Sequence, residues 1–418
     1  MSDTVKKKGL DINVKFFITS CLIIFALMCL VYGLTFIIPG GEYARIIDSD
    51  GNAVIDTAKG FSYVDGGIPF WKWILSPILV LGAEGSGTII TIIAFLLVVG
   101  GLFNVLEKCG LMERILNIIV SKYSKSRYKL MSVVILFFML MGSFLGSFEE
   151  CVPLVPVVVA LSVAMGWDAM TGLGISVLAA GCGFAAGVCN PFTVGVAQGL
   201  AGLPLFSGMW YRAVGFVLIY ILLTVFIYKH AKKCEKPLEA LETADKLSEK
   251  NKIEKAPLKL LSFFWNGLTS VLPAILMILM ASSIKYTLEE ANVLDTILYK
   301  AVDMAESLPK WSVIFFIYLV VLVMNFFISS GSAKAFLLMP LIVPIAQIFD
   351  ISTQLCVMAF AFGDGFSNVF YPTNPVLLIS LGLANVSYGK WAKWTWKFQF
   401  LNIILTSALL LVGLAIGY

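Results

Sequence analysis

Hydrophobic stretches interrupted by prolines and small polar residues, one pair in each half of the chain, constrain the fold more than any other feature. In the first half GSFLGSFEECVPLVP (142–156) precedes GCGFAAGVCNPFTVGVAQGLAG (181–202). In the second half FFISSGSAKAFLLMPLIVP (326–344) precedes FGDGFSNVFYPTNPVLLISLGLA (362–384). A lipid-facing helix does not tolerate such breaks, because each freed backbone N–H and C=O lacks water to bond. They persist where irregular backbone lines a cavity near the bilayer midplane. Their recurrence at matching places in two halves is the pattern of a secondary transporter's binding site.

The chain is 59% hydrophobic and 13% charged, and several apolar runs reach the roughly 20 residues needed to cross a bilayer. A polytopic α-helical membrane protein follows. The start, MSDTVKKKGLDINVKFF, is a basic flank, and no small-residue cleavage site follows 16–39. A first transmembrane helix is expected there, not a signal peptide. The net charge of +4 carries no indication of nucleic acid, since the basic residues sit mostly in loops. Eight cysteines without CxxC spacing are expected to be free thiols, not disulfides or a metal site. The single histidine, His230, falls in a Lys-rich segment and is expected to be solvated. With no histidine expected in a span, no HExxH, no GxSxG and no P-loop, neither hydrolysis nor ATP use by this chain is expected.

Loop charge sets the expected orientation. Residues 6–8, 122–129, 229–259 and 390–397 are rich in Lys and Arg, whereas 40–67 is acidic. The positive-inside rule then puts the N-terminus in the cytoplasm of a bacterial cell, in the inner membrane, with 40–67 outside. The expected fold is an all-α polytopic membrane protein of two inverted-topology repeats. Each repeat holds a re-entrant helical hairpin (132–163; 312–348) and a broken transmembrane helix (173–203; 357–384). Its parts are an N-terminal helix, external loop and interfacial or scaffold segment (1–85), repeat 1 (86–228), a charged cytoplasmic linker (229–259) and repeat 2 (260–418). Segment 66–85 reads either as an interfacial helix anchored by Trp71 and Trp73 or as part of a span. Internal matches support the repeat: VLEKCGLMERIL (105–116) with TLEEANVLDTIL (287–298), Asp168 with Asp350, GCGF (181–184) with GDGF (363–366), and QGLAG with LGLAN.

A hairpin tip facing an unwound helix brings carbonyls, hydroxyls and half-helix ends together. C-terminal helix ends attract cations and N-terminal ends attract anions. The first half-site is Ser147, Glu149, Glu150, Asn190 and Thr193; the second is Ser330, Ser332, Asp364, Asn368, Thr373 and Asn374. Their neutral oxygens suit Na⁺, with Ser147, Asn190, Ser330 and Asn374 as candidate ligands, or a substrate carboxylate. A carboxylate at bilayer depth costs about 2.5–3.5 kcal/mol and needs a partner, which singles out Glu149, Glu150 and Asp364. Lys334 reads as the only strong cation near either break. It neutralises one of these acids, binds a substrate carboxylate, or snorkels to the outer surface. Three acids against one lysine favour a cationic or cation-accompanied ligand.

The motifs EECVPLVP, GCGFAAGVCNPFTVGVAQGLAGLPLFSG, SSGSAKAFLLMP, FGDGFSNVFYPTNP and YGKW (388–391) resemble the YfcC-type branch of the C4-dicarboxylate anaerobic carrier family, in the ion transporter superfamily. The resemblance covers most of 86–207 and 266–397. It implies a two-repeat transporter of elevator type, often a homodimer. No cofactor is expected, and the carrier is expected either to exchange substrates or to use Na⁺ or H⁺ as coupling ion. Members range from dicarboxylate carriers to basic amino acid antiporters, including arginine/ornithine exchangers. The acid-rich site favours the cationic amino acid; a Na⁺- or H⁺-coupled dicarboxylate carrier and, from another class, an ion channel are the alternatives. Relatives carry additional hydrophobic helices after the central linker, whereas here 259 leads almost directly into the next hairpin domain, so the scaffold of the second half is expected to be reduced.

Overall fold

Apolar segments that must satisfy their own backbone groups form helices. The chain is described here from a computed structural model covering residues 14–47, 53–55, 60–83, 86–109, 122–123, 126–146, 148–235, 260–270, 272–305 and 308–418. Among the described residues five helical stretches are long and apolar enough to cross a membrane: Arg127–Leu145, Ala169–Leu200, Met209–Cys234, Gly331–Ile348 and Tyr388–Ile416. Ser147 and residues 236–259 of the linker 229–259 lie outside the described residues.

Helix α1 (Val14–Leu34) packs along a later helix, Leu272–Glu290. The acidic loop that follows departs from the all-α expectation. Strands β1 (Gly41–Tyr43), β2 (Arg45–Ile47), β3 (Ala53–Ile55) and β4 (Phe61–Tyr63) make two antiparallel pairs, β1 with β4 and β2 with β3. Short runs of β-branched and aromatic residues favour this ribbon, and its acidic composition hid them. Asp295 pins it, accepting from Tyr43 N at 2.9 Å and pairing with Arg45. In segment 66–85, α2 (Phe70–Ile74) and α3 (Ser76–Leu79) are each too short to span a bilayer of about 30 Å. Trp73 is buried against Tyr32, with ring centroids 4.6 Å apart, while Trp71 is exposed.

Helix α4 (Ser86–Lys108) leads to the first hairpin. Its first arm is α5 (Arg127–Leu140), extended by a π turn at Met141–Leu145; the second is a 3₁₀ turn, Glu149–Leu154, running into α6 (Val155–Ala164). The arms run antiparallel, since Arg127 at the start of one donates to the Met165 carbonyl at the end of the other at 3.1 Å. The first broken helix follows as α7 (Ala169–Leu173), a π turn at Gly174–Leu178 and α8 (Ala179–Ala186). After an irregular break it resumes with a π turn, Pro191–Gly195, and α9 (Val196–Leu200). Helix α10 (Met209–Cys234) carries His230 inside it, not in a loop. The imidazole is partly buried and bonds Asp168, so the solvated reading of His230 is corrected.

In the second half α11 (Leu260–Ser270) packs on α4, and α12 (Leu272–Glu290) is the helix against α1. Helix α13 (Leu294–Ala305) carries Asp295. The second hairpin is α14 (Lys310–Phe327) and α15 (Gly331–Ile348). The second broken helix is α16 (Thr353–Asn368), an irregular break and α17 (Pro375–Leu383); α18 (Tyr388–Ile416) closes the chain.

Corresponding features recur at one interval. It separates left-handed Gly166 from left-handed Asp350, the N-cap Asp168 from the N-cap Ser352, and the N-cap Asn190 from the N-cap Asn374. It also relates two contacts: a Cβ at Gly181 would overlap the Val369 side chain, and one at Gly365 would overlap Ala185. The broken helices therefore cross through glycines, where only a missing Cβ permits the approach. This interval is two residues longer than the one matching GCGF with GDGF or Asp168 with Asp350. The glycine letters coincide at the shorter interval, but the packing and caps obey the longer one.

Candidate functional site

Each break is closed by an Asn-Pro pair, where the helix resumes. Proline at the first helical position forfeits an N–H that has no helical partner anyway, and the preceding asparagine caps the next turn. Asn190 Oδ1 accepts from Phe192 N at 3.0 Å and Thr193 N at 3.3 Å. Asn374 Oδ1 accepts from Leu377 N at 3.2 Å. The first break is also tied to its own hairpin: Val188 N donates to Ser143 Oγ at 3.0 Å and Cys189 N to Ser143 O at 3.1 Å.

The second half-site is a closed polar network. Lys334, in the first turn of α15, has no exposed side-chain surface; its Nζ lies 2.5 Å from Asp364 Oδ1 and also donates to Asn325 Oδ1. Asn325 Nδ2 lies 2.9 Å from the Asp364 carbonyl, 2.6 Å from Ser367 Oγ and 2.9 Å from Asn368 Oδ1. Asn374 Nδ2 reaches the same Asn368 oxygen at 2.9 Å. One network thus joins both hairpin arms, the broken helix and its cap. Lys334 faces inward because α14 and α16 offer it acceptors. That corrects the snorkelling alternative and leaves its ammonium committed to Asp364.

The two halves meet at Gly331. A Cβ there would overlap Thr193 Cγ2 and stand 2.8 Å from Asp364 Oδ2. Thr193 Oγ1, Asp364 Oδ2 and Thr373 Oγ1 are buried without a hydrogen-bond partner among the described residues. Buried polar atoms left in this state cost about 1–3 kcal/mol each, and two of the three, on Thr193 and Asp364, belong to side chains that stand against Gly331. By contrast Glu149, Glu150 and Ser330 are exposed, and Ser332 is partly buried. Ser330 Oγ caps α15 by accepting from Ala333 N at 3.4 Å. Of the candidate Na⁺ ligands, Asn190, Ser330 and Asn374 all use their side-chain oxygens as helix caps.

Two contributors escaped the sequence reading. Asn325 lies in the apolar run VLVMNFF, where a lone amide was a readable signal. Arg212 is a second buried cation close to a break, so Lys334 is not the only one. Arg212 Nη2 donates to the Val188 carbonyl at 3.2 Å and the Ser207 carbonyl at 2.9 Å, and Nη1 to Tyr418 Oη at 3.0 Å. It braces the backbone just before Asn190. Away from the breaks, partial burial pushes the Asp168 carboxyl upward, but hydrogen bonds from His230 and Thr171 outweigh it and hold the group well below the usual carboxylate range.

The profile of the family described as DcuC, C4-dicarboxylate anaerobic carrier, matches residues 17–259 and 254–415. The chain is similar to YfcC of Escherichia coli (strain K12), provisionally named a basic amino acid antiporter, at 26% identity over 399 residues, covering 79% of each chain. It is also similar to an uncharacterised protein of Haemophilus influenzae (strain ATCC 51907 / DSM 11121 / KW20 / Rd), at 22% identity over 521 residues covering 100% of this chain and 99% of the relative. That alignment is longer than the 418 residues here, so the relative carries segments without a counterpart in this chain. Among solved structures, the Alcanivorax borkumensis YdaH transporter aligns with a TM-score of 0.47 and 14% identity, over 96% of this chain and 98% of that one.

Proposed function

Because the chain belongs to the DcuC family of C4-dicarboxylate anaerobic carriers, we propose that this multi-pass membrane transporter is a secondary active carrier of basic amino acids. It exchanges them or couples their movement to Na⁺ or H⁺ by alternating access. The observation that carries the substrate class is the distribution of charge. Asp364 is neutralised by Lys334, whereas Glu149 and Glu150 are exposed at the first tip with no ion-pair partner among the described residues. Two uncompensated carboxylates on a turn that packs against α17, the helix resuming after the second break, suit a substrate with a cationic side chain. The provisional name of YfcC agrees with this class.

The dicarboxylate alternative needs a cation free to meet a substrate carboxylate. Lys334 is committed to Asp364, and Arg212 is engaged by backbone carbonyls and Tyr418. Charge therefore weighs against it, although the family description names that substrate. In our reading the two sets of elements are inverted repeats, a view supported by the constant interval between caps and crossings. The hairpins and broken helices move together as the elevator, in a homodimer of the bacterial inner membrane with the N-terminus cytoplasmic.

Counterflow in proteoliposomes tests the substrate class. Vesicles loaded with unlabelled arginine, ornithine or lysine should accumulate the matching labelled compound, saturably, while vesicles loaded with succinate or fumarate should not. Exchange of dicarboxylates alone would replace the proposal with its alternative, and non-saturable flux would point to a channel.

A further inference from the structure

Transport leaves one cluster of metal-binding side chains unused. His230 and Cys234 stand four residues apart near the end of α10, a spacing that puts both on one helix face. Asp168, the N-cap of α7, meets them from the neighbouring element. Its Oδ2 lies 3.1 Å from His230 Nε2, and Thr171, which donates to its Oδ1 at 2.6 Å, is 3.7 Å from Cys234 Sγ. One ligand atom from each of the three residues falls within 4.8 Å of the other two. All three side chains are partly buried, so an ion can reach them and is still sheltered. The Trp394 ring, 5.0 Å away at 61°, holds the imidazole in its orientation. Lys229, Lys232 and Lys233 flank His230 and Cys234 on α10 but are exposed to solvent, and Arg127 is occupied by Glu235 and the Met165 carbonyl. The C-terminal end of α10 adds carbonyl dipoles that favour positive charge.

We propose that Asp168, His230 and Cys234 bind a borderline divalent metal ion, Zn²⁺ foremost, through one carboxylate oxygen, one imidazole nitrogen and one thiolate. Zinc takes these donors at about 2.0–2.3 Å, so donor atoms around one ion stand a little over 3 Å apart. The carboxylate and imidazole already have that spacing, and the sulfur needs only a short inward movement. The mixed donor set selects against Na⁺, Mg²⁺ and Ca²⁺, which prefer all-oxygen sites. On binding, the Cys234 thiol gives up its proton to solvent, the imidazole proton moves from Nε2 to Nδ1, and the ion takes the place of both on Sγ and Nε2. Asp168 Oδ1 continues to accept from Thr171 N at 2.8 Å and cap α7, leaving Oδ2 for the metal. The fourth tetrahedral position stays open to water. The site is independent of the substrate proposed above.

The competing account is an ordinary Asp–His pair with a bystander thiol, and Co²⁺ as a spectroscopic probe separates the two. The purified full-length protein in detergent should take up one equivalent of Co²⁺ with tetrahedral visible bands and thiolate-to-metal absorption, all displaced by Zn²⁺. The spectrum should vanish in Cys234→Ser and His230→Ala and persist in Cys21→Ser. No thiolate absorption in the wild-type protein, or the same absorption in Cys234→Ser, overturns the proposal. A measurement on the wild-type chain guards against misfolded variants. Zn²⁺ should slow alkylation of Cys234 at least tenfold while exposed Cys109 reacts unchanged. Equal labelling of Cys234 with and without Zn²⁺ counts against the site.

Discussion

At the second hairpin tip a lysine, an aspartate and an asparagine are sealed from solvent, whereas at the first two adjacent glutamates stand open. The tips correspond position for position: Glu150 and Lys334 are separated by the same interval as the capping asparagines Asn190 and Asn374. The second half commits its charge to an internal partner, whereas Glu149 and Glu150 have no ion-pair partner among the described residues. A sealed ion pair fixes one hairpin to one broken helix, and in the function proposed above the open pair of carboxylates supplies the selectivity. We propose from this difference that Lys334 and Asp364 serve stability and that Glu149 and Glu150 serve recognition.

The largest expected effect comes from unbalancing the sealed tip. Lys334→Ala strands a buried carboxylate and an amide oxygen, and breaking such a pair costs about 3–5 kcal/mol. Thermal unfolding in detergent should show a large drop in midpoint. The double variant K334M/D364L should recover most of it, because a well-packed apolar pair often replaces a buried ion pair without loss. If K334M/D364L is no more stable than Lys334→Ala, the pair is not what holds the tip. Gly331→Ala comes next, since its Cβ would overlap Thr193 Cγ2; overpacking of this kind costs about 1–3 kcal/mol. Uptake should fall with it, because the two half-sites meet there.

Removing the caps should cost less. Asn374→Ala and Asn190→Ala each lose an N-cap, typically about 1 kcal/mol, and Asn374→Ala should be the worse because its second bond, to Asn368 at 2.9 Å, is shorter than that of Asn190 to the Phe184 carbonyl at 3.5 Å. The same melting assay, run on both, measures whether the second break depends more on its network than the first does. The smallest effect on stability belongs to Glu149→Gln and Glu150→Gln. Exposed substitutions usually stay within about 0.5 kcal/mol, yet transport should drop sharply. A large stability loss in either would mean that the first tip is as internally committed as the second.

What was legible in the sequence was local. Asn190-Pro191 and Asn374-Pro375 announce a cap and a helix start within two residues, and the hairpin tips are marked by small polar residues between apolar runs. What stayed hidden depends on distant segments. The pairing of Lys334 with Asp364 joins residues 30 positions apart, and its third member, Asn325, belongs to yet another helix. The true register between the halves is set by which glycines cross, and identical letters at a shorter interval masked it. Asp168, His230 and Cys234 likewise come from two elements, which a search for closely spaced cysteines cannot find. The β ribbon was concealed by reading its segment for charge alone.

We propose that the open tip, not the sealed one, recognises a cationic substrate. Labelled-arginine counterflow, comparing the wild-type chain with the double variant E149Q/E150Q at equal protein in the vesicle membrane, tests it most directly. The account predicts saturable exchange by the wild type and its near-complete loss in the variant, with the melting temperature unchanged. Undiminished arginine exchange by E149Q/E150Q would contradict it.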